Sequence, residues 1–322
     1  MRSAVVLLLA STLIASAAPP KKPAAGRLKF VDLTPQFDRA WEKTKNLPDS
    51  KRVEAFEDEF DRVLPGFYSA KRVSDFITAD HYREMILKGL KDYPSHRDGI
   101  HRVSAQFTSL ITPARREFEA TFGPMRGYPP IYLVNSFGEF DGGTRDLPEG
   151  TRLMFGADVI DTIYQGRSMK PFVEHELFHL MHGRTFGECN PLWCNLWEEG
   201  LATYVAATLN PGADDAELGL TIPQPIRPAV DAHRQEAVCA VRERLNSEQT
   251  EDYAPLFYGN KNIPGLPPRA GYYVGLLVVQ DIGRTRSLKQ LAALTPARVK
   301  PLIEQSLDKL ATCEASTKSE RG

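Results

Sequence analysis

From Phe172 to Met181 the chain is apolar apart from Glu174, His175, Glu176 and His179. With Val173, Leu177, Phe178 and Leu180 spread around it, a helix here is apolar on nearly every side, which describes a buried helix. Burying two histidines and two glutamates creates polar groups that must find partners. At 3.6 residues per turn His175 and His179 lie one turn apart on one face, so both imidazoles can serve a single metal ion. Glu176 is then placed beside a water at that ion. Zinc takes neutral nitrogen ligands and keeps a position open for water, and a nearby carboxylate can accept that water's proton during attack on a carbonyl. The residue types fit metal-assisted hydrolysis.

A catalytic zinc takes a third protein ligand. Asn190-Pro191 is a helix start and Asn210-Pro211-Gly212 a stop, which predicts a second helix from about 191 to 209. It carries adjacent carboxylates, Glu198 and Glu199, which point about 100° apart, so at most one meets the metal. Glu199 shares its face with Ala202, Thr203 and Ala206, whose small side chains allow close approach to the histidine helix, whereas Glu198 shares a face with Leu201 and Val205. This favours Glu199 as ligand and leaves Glu198 as the alternative, or as a support behind the ligands. His182 lies on the ligand face too, about 10 Å along the axis from His175. Its role stays open between a structural histidine, a substrate-side group and, at that distance, a poor ligand.

His-Glu-x-x-His followed by Glu199-Gly200-Leu201-Ala202 and Tyr204 resembles the gluzincin zinc metallopeptidases, the group of thermolysin-like and aminopeptidase N-like enzymes. The resemblance is confined to these short runs. It implies a zincin-like catalytic domain with a small mixed sheet, one zinc per chain held by His175, His179 and Glu199, and Glu176 as general base. The spacing usual in aminopeptidase N-like enzymes lands one residue earlier, on Glu198. Metzincins are disfavoured, since His182 and Thr185 stand where they carry glycine and histidine. The run Arg269 to Gln280 predicts a helix entering the core. Its Tyr272-x-x-Gly275 start resembles the helix bearing the transition-state tyrosine of aminopeptidase N-like enzymes, which implies Tyr272 as the oxyanion donor. Tyr273, or plain core packing of the pair, is the alternative. Gluzincins also present an edge strand to extended substrate, and residues 152–156 are the candidate here. The Gly-x-Met-Glu-Asn run of aminopeptidase N-like enzymes is missing, which favours an endopeptidase or a specialised peptidase.

Elsewhere the chain reads as follows. Residues 1–18 have the form of a secretory signal, with Arg2, an apolar run from Ala4 to Ala15 and small residues through Ala18. Residues 19–29 read as a flexible leader, 30–122 as a helical region, 123–313 as the catalytic region, and 314–322 as a disordered tail. The expected class is α+β, mostly helical. Val53, Phe56, Phe60 and Val63 mark one helical face, and 130–135 and 151–156 are the best strands. Phe140 to Thr144 is a loop, either a lid or a turn. Residues 226–245 and 287–312 predict further helices, while His81, His96, His101 and His233 lack ligand spacing. The signal makes an exported protein, periplasmic or secreted, the expectation, and no run is apolar and long enough for a membrane span. In that oxidising setting Cys189 pairs best with Cys194 and Cys239 with Cys313, out of three possible pairings. The formal net charge is −1 with both signs interspersed, which gives no field for nucleic acid. The partner expected is a peptide or protein substrate. The alternative is a zinc hydrolase of another bond, or an inactive zinc-stabilised exported protein.

Overall fold

The computed structural model describes residues 26–259 and 261–313. The signal segment 1–18 and the tail 314–322 lie outside the described residues, as does most of the leader. The architecture is α+β and mostly helical with one small mixed sheet. Two compact units divide the chain: residues up to Pro113 with Pro124–Arg167, and Ala114–Gly123 with the residues from Ser168 on. The sheet therefore belongs with the N-terminal helices, and the expected 123–313 region draws on both units.

In the first unit β1 (Phe30–Asp32) leads into α1 (Thr34–Thr44) and α2 (Asp49–Asp61), then α3 (Ala79–Phe122), whose residues from Ala114 on belong to the second unit. That division falls at Pro113, a proline inside the helix that removes a backbone donor. Strands β2 (Ile131–Val134), β3 (Gly142–Leu147) and β4 (Gly150–Gly156) and helix α4 (Ala157–Tyr164) complete the unit. The strand order is β1-β2-β4-β3, with β1, β2 and β4 parallel and β3 antiparallel to β4. The expected strands are thus present as β2 and β4, but β4 is paired on both sides. It has no open edge for a peptide to add to. The Gly142–Thr144 part of the expected loop is the start of edge strand β3.

Aromatic rings fill this unit's core. Phe37 meets Phe56 at 5.1 Å and Tyr93 at 4.7 Å, and Tyr68 meets Phe60 at 4.8 Å and Phe137 at 5.1 Å. Val53, Phe56 and Phe60 bury as their spacing predicts, but Val63 is 44% exposed. Helix α2 ends at Asp61, so Val63 no longer follows its periodicity. Two acids anchor charge in this core. Arg72 and Arg145 both reach Glu139, at 2.5 and 3.2 Å, and Asp158 at the start of α4 accepts the Ser136 and Gly138 amides at 2.7 Å each.

The described part of the second unit is helical: α5 (Lys170–Phe186), α6 (Leu192–Leu209), α7 (Arg227–Ala232), α8 (Arg234–Arg244), α9 (Thr250–Phe257), α10 (Ala270–Gly283), α11 (Leu288–Ala292) and α12 (Pro296–Leu310). The expected helices over 226–245 and 287–312 are each broken in two, at His233 and around Leu294. Helix α6 is the axis of the unit. It buries residues on every side, from Leu192 and Trp197 to Leu201 and Val205, as a helix enclosed by others must. It packs against α5 and, most extensively, against α10. That last contact is backbone on backbone, since a Cβ on Gly200 would stand 2.4 Å from the Gly275 carbonyl carbon.

Disulfides join Cys189 to Cys194 and Cys239 to Cys313, the pairing expected from the sequence. The first closes the connection between α5 and α6, and the second fastens the end of α12 to α8. A bridge stabilises chiefly by restricting the unfolded chain, and more so for longer loops. With 74 residues of separation against 5, Cys239→Ala with Cys313→Ala is expected to cost about 4 kcal/mol and Cys189→Ala with Cys194→Ala about 2 kcal/mol. Urea unfolding of the two double variants checks the order.

Candidate metal centre

His175 and His179 project from the middle of α5, and Glu199 from α6. The two histidine Nε2 atoms lie 2.9 Å apart, and each lies 3.3 Å from Glu199 Oε2. All three candidate ligand atoms fall within 4.8 Å of one another. Tetrahedral zinc ligands at about 2.0–2.1 Å from the ion stand about 3.3 Å from each other, so the spacing suits a metal ion. So does the donor set, two imidazole nitrogens and one carboxylate. The group can hold a metal.

The surroundings explain why these atoms converge. Burial would raise the Glu199 carboxyl, but the His179 charge and hydrogen bonds from both histidines hold it well below the usual carboxylate range. Burial alone would lower His179, yet Glu199 carries it up to about 9, while His175 is held below its ordinary value by burial. Glu199 keeps only 6% of its side chain exposed, whereas His175 and His179 keep 13% and 20%. Access from solvent is on the histidine side.

Glu198 does not join the three. It stands beside them, pushed up to about 7 by burial, and within electrostatic reach of His179. The choice between neighbouring glutamates thus falls on Glu199 for geometry. Glu176 lies near enough to act on both His179 and Tyr272. Tyr272 is 6% exposed. Burial and the Glu199 charge push its hydroxyl far above its ordinary value, so it stays protonated at any working pH. Tyr273 points to other partners: its hydroxyl donates to Asp231 at 3.1 Å, and Arg227 covers its ring.

Two features were not foreseen from the sequence. Glu174, fully buried, accepts from Asn210 Nδ2 at 2.5 Å and pairs with Lys170 at 3.1 Å, and Lys170 also donates to Asn210 Oδ1 at 2.7 Å. This clamp fastens the first turns of α5 to the end of α6. Asn210 reads in sequence only as a helix stop. The second is Arg269, whose guanidinium lies over the Tyr272 ring at 4.3 Å. His182 is not part of the metal group. It is stacked between Phe178 and Phe186 at 4.9 and 4.8 Å, 1% exposed, with neither ring nitrogen hydrogen-bonded among the described residues. It packs as an aromatic plate, kept neutral by burial, which lowers it to about 3.

Two outcomes are expected. A metal must displace the His179 proton below about pH 9, so apparent zinc affinity falls by roughly tenfold per pH unit under that value, and Glu199→Ala loses the ion while Glu198→Ala keeps it. Chelator competition at two pH values tests both. His182 titrates near 6.5 when unfolded and about 3 when folded. The unfolded chain therefore binds the extra proton, and stability drops by about 1.4 kcal/mol per pH unit as pH falls below 6.5 toward 3. In unfolding curves across that range, His182→Phe should remove this part of the slope.

The chain matches no family model, no curated protein sequence and no solved structure.

Proposed function

We propose that the protein is an exported zinc-dependent peptidase of zincin-like build, in which His175, His179 and Glu199 hold the ion. The observation that carries this reading is the convergence of those three donors beside a carboxylate, Glu176, and a buried phenol, Tyr272. When bound, zinc acts as a Lewis acid that polarises a carbonyl and makes water a stronger nucleophile at neutral pH. Glu176, next in sequence to His175, takes the proton of the attacking water and later passes it to the leaving amine. Tyr272 donates its hydroxyl proton in a hydrogen bond to the carbonyl oxygen as negative charge grows there. Because its hydroxyl holds its proton so firmly, this donor does not switch off as pH rises.

Before an ion binds, the Glu199 carboxylate keeps the two imidazole Nε2 edges turned inward. The two disulfides, and the lack of any helix among the described residues long and apolar enough to cross a membrane, are compatible with export, and the peptide or protein substrate would be met outside the cytoplasm.

Glu176→Gln is expected to retain zinc and lose peptide hydrolysis by roughly 10²–10⁴-fold. Tyr272→Phe should lower kcat by about 10²–10³-fold with the metal content unchanged. Elemental analysis beside assays on a peptide library measures both, and a Glu176→Gln protein that cleaves at full rate would remove Glu176 from the reaction.

A further inference from the structure

Arg269 stands at the head of α10, three residues before Tyr272, with its backbone in the left-handed region at φ 62°. That conformation is disfavoured for a residue with a side chain and persists only where the surroundings enforce it. Here they do. The guanidinium centre lies 4.3 Å from the Tyr272 ring centroid, and Nη1 donates to the Gly219 and Ile222 carbonyls at 3.4 and 3.3 Å. Backbone, ring and carbonyls together set one permanent cation beside the proposed oxyanion donor.

Helix α10 crosses α6 backbone to backbone where Gly275 meets Gly200, one residue from Glu199 and one turn from Tyr272, so the cation stands at the head of the helix that passes the candidate ligand. A permanent cation there attracts an anion. The planar fork of a guanidinium matches a carboxylate, and stacking on an aromatic ring fixes the plane of that fork.

We propose that Arg269 binds a carboxylate of the substrate beside the bond that is cleaved, and so selects substrates that carry one there. This rests on the peptidase reading above. The carboxylate belongs either to a free peptide C-terminus or to an Asp or Glu side chain, and the chemistry recognised is the same.

The test uses the full chain loaded with zinc and carrying Glu176→Gln, so that peptides bind without turnover. Three peptides are compared by calorimetry: one with a free C-terminal acid and no acidic side chain, its C-terminal amide, and that amide with one Gln changed to Glu. One of the two carboxylate-bearing peptides is expected to bind on the order of tenfold to a hundredfold more tightly than the neutral amide. Whichever it is identifies the source of the carboxylate, and adding Arg269→Gln should abolish the preference. Equal affinity for all three, a preference that survives Arg269→Gln, or no binding at all would overturn the assignment. The comparison of peptides on the arginine-bearing protein stands even if the Arg269 variant fails to fold. Cleavage assays on the unsubstituted chain separate the two proposals: selective binding without cleavage removes the peptidase reading alone, and cleavage without selectivity removes the Arg269 assignment alone.

Discussion

A carboxylate enclosed in a helical core stays charged only if enough donors and positive charge are brought to it, and much of the second unit is arranged around meeting that condition for Glu199. Its neighbours on α5 supply two imidazoles at 3.3 Å. Helix α6 runs through the middle of the unit. It also meets α10 within backbone contact, which Gly200 and Gly275 permit and any side chain at either position would block. The same crossing sets Tyr272, one turn before Gly275, within electrostatic reach of the group. One buried charge and one pair of glycines thus bring four candidate side chains together from three helices.

The two units handle buried acids by the same rule with different donors. In the first, Glu139 takes Arg72 and Arg145, and Asp158 takes backbone amides and the Ser136 hydroxyl. Guanidinium and amide groups are donors with no lone pair to offer, so those acids sit in closed networks. Glu199 takes histidines instead, and an imidazole that gives up its proton becomes a Lewis base. That difference in donor chemistry is what makes one acid a candidate metal ligand and the others parts of the frame. The acid next to His175, Glu174, follows the closed pattern with Lys170 and Asn210, and fastens the first turns of α5 to the end of α6.

How much of this could be read in advance follows from the range of each interaction. The His175–His179 pairing depends on helical repeat alone, so it was legible, as were α6 between Asn190 and Asn210 and strands β2 and β4. Glu199 over Glu198 rested on which face carries Ala202 and Thr203, three and four positions on, and the geometry agrees because residues at that spacing share one face of a helix. Strand β1 has three residues and pairs across a hundred positions of sequence, which leaves no local pattern to detect. The interior position of β4 depended on β1, β2 and β3 all pairing as they do, so its reading as an edge failed. The role of His182 stayed open because its polarity is visible in the sequence, whereas its stacking between Phe178 and Phe186 depends on burial. Arg269 escaped notice because its place over Tyr272 arises from a left-handed turn that arginine seldom adopts.

The bridge between Cys189 and Cys194 lies in the segment that separates His179 from Glu199 along the chain. It persists when the helices melt, so even an unfolded molecule keeps its third donor on a shortened tether to the histidine pair, at a raised local concentration. An ion with affinity for the folded centre would therefore retain some affinity for the denatured ensemble. Ligand stabilisation depends on the difference between those two affinities, so metal would protect this fold against denaturation by less than its native dissociation constant implies, and reducing that one bridge would widen the gap.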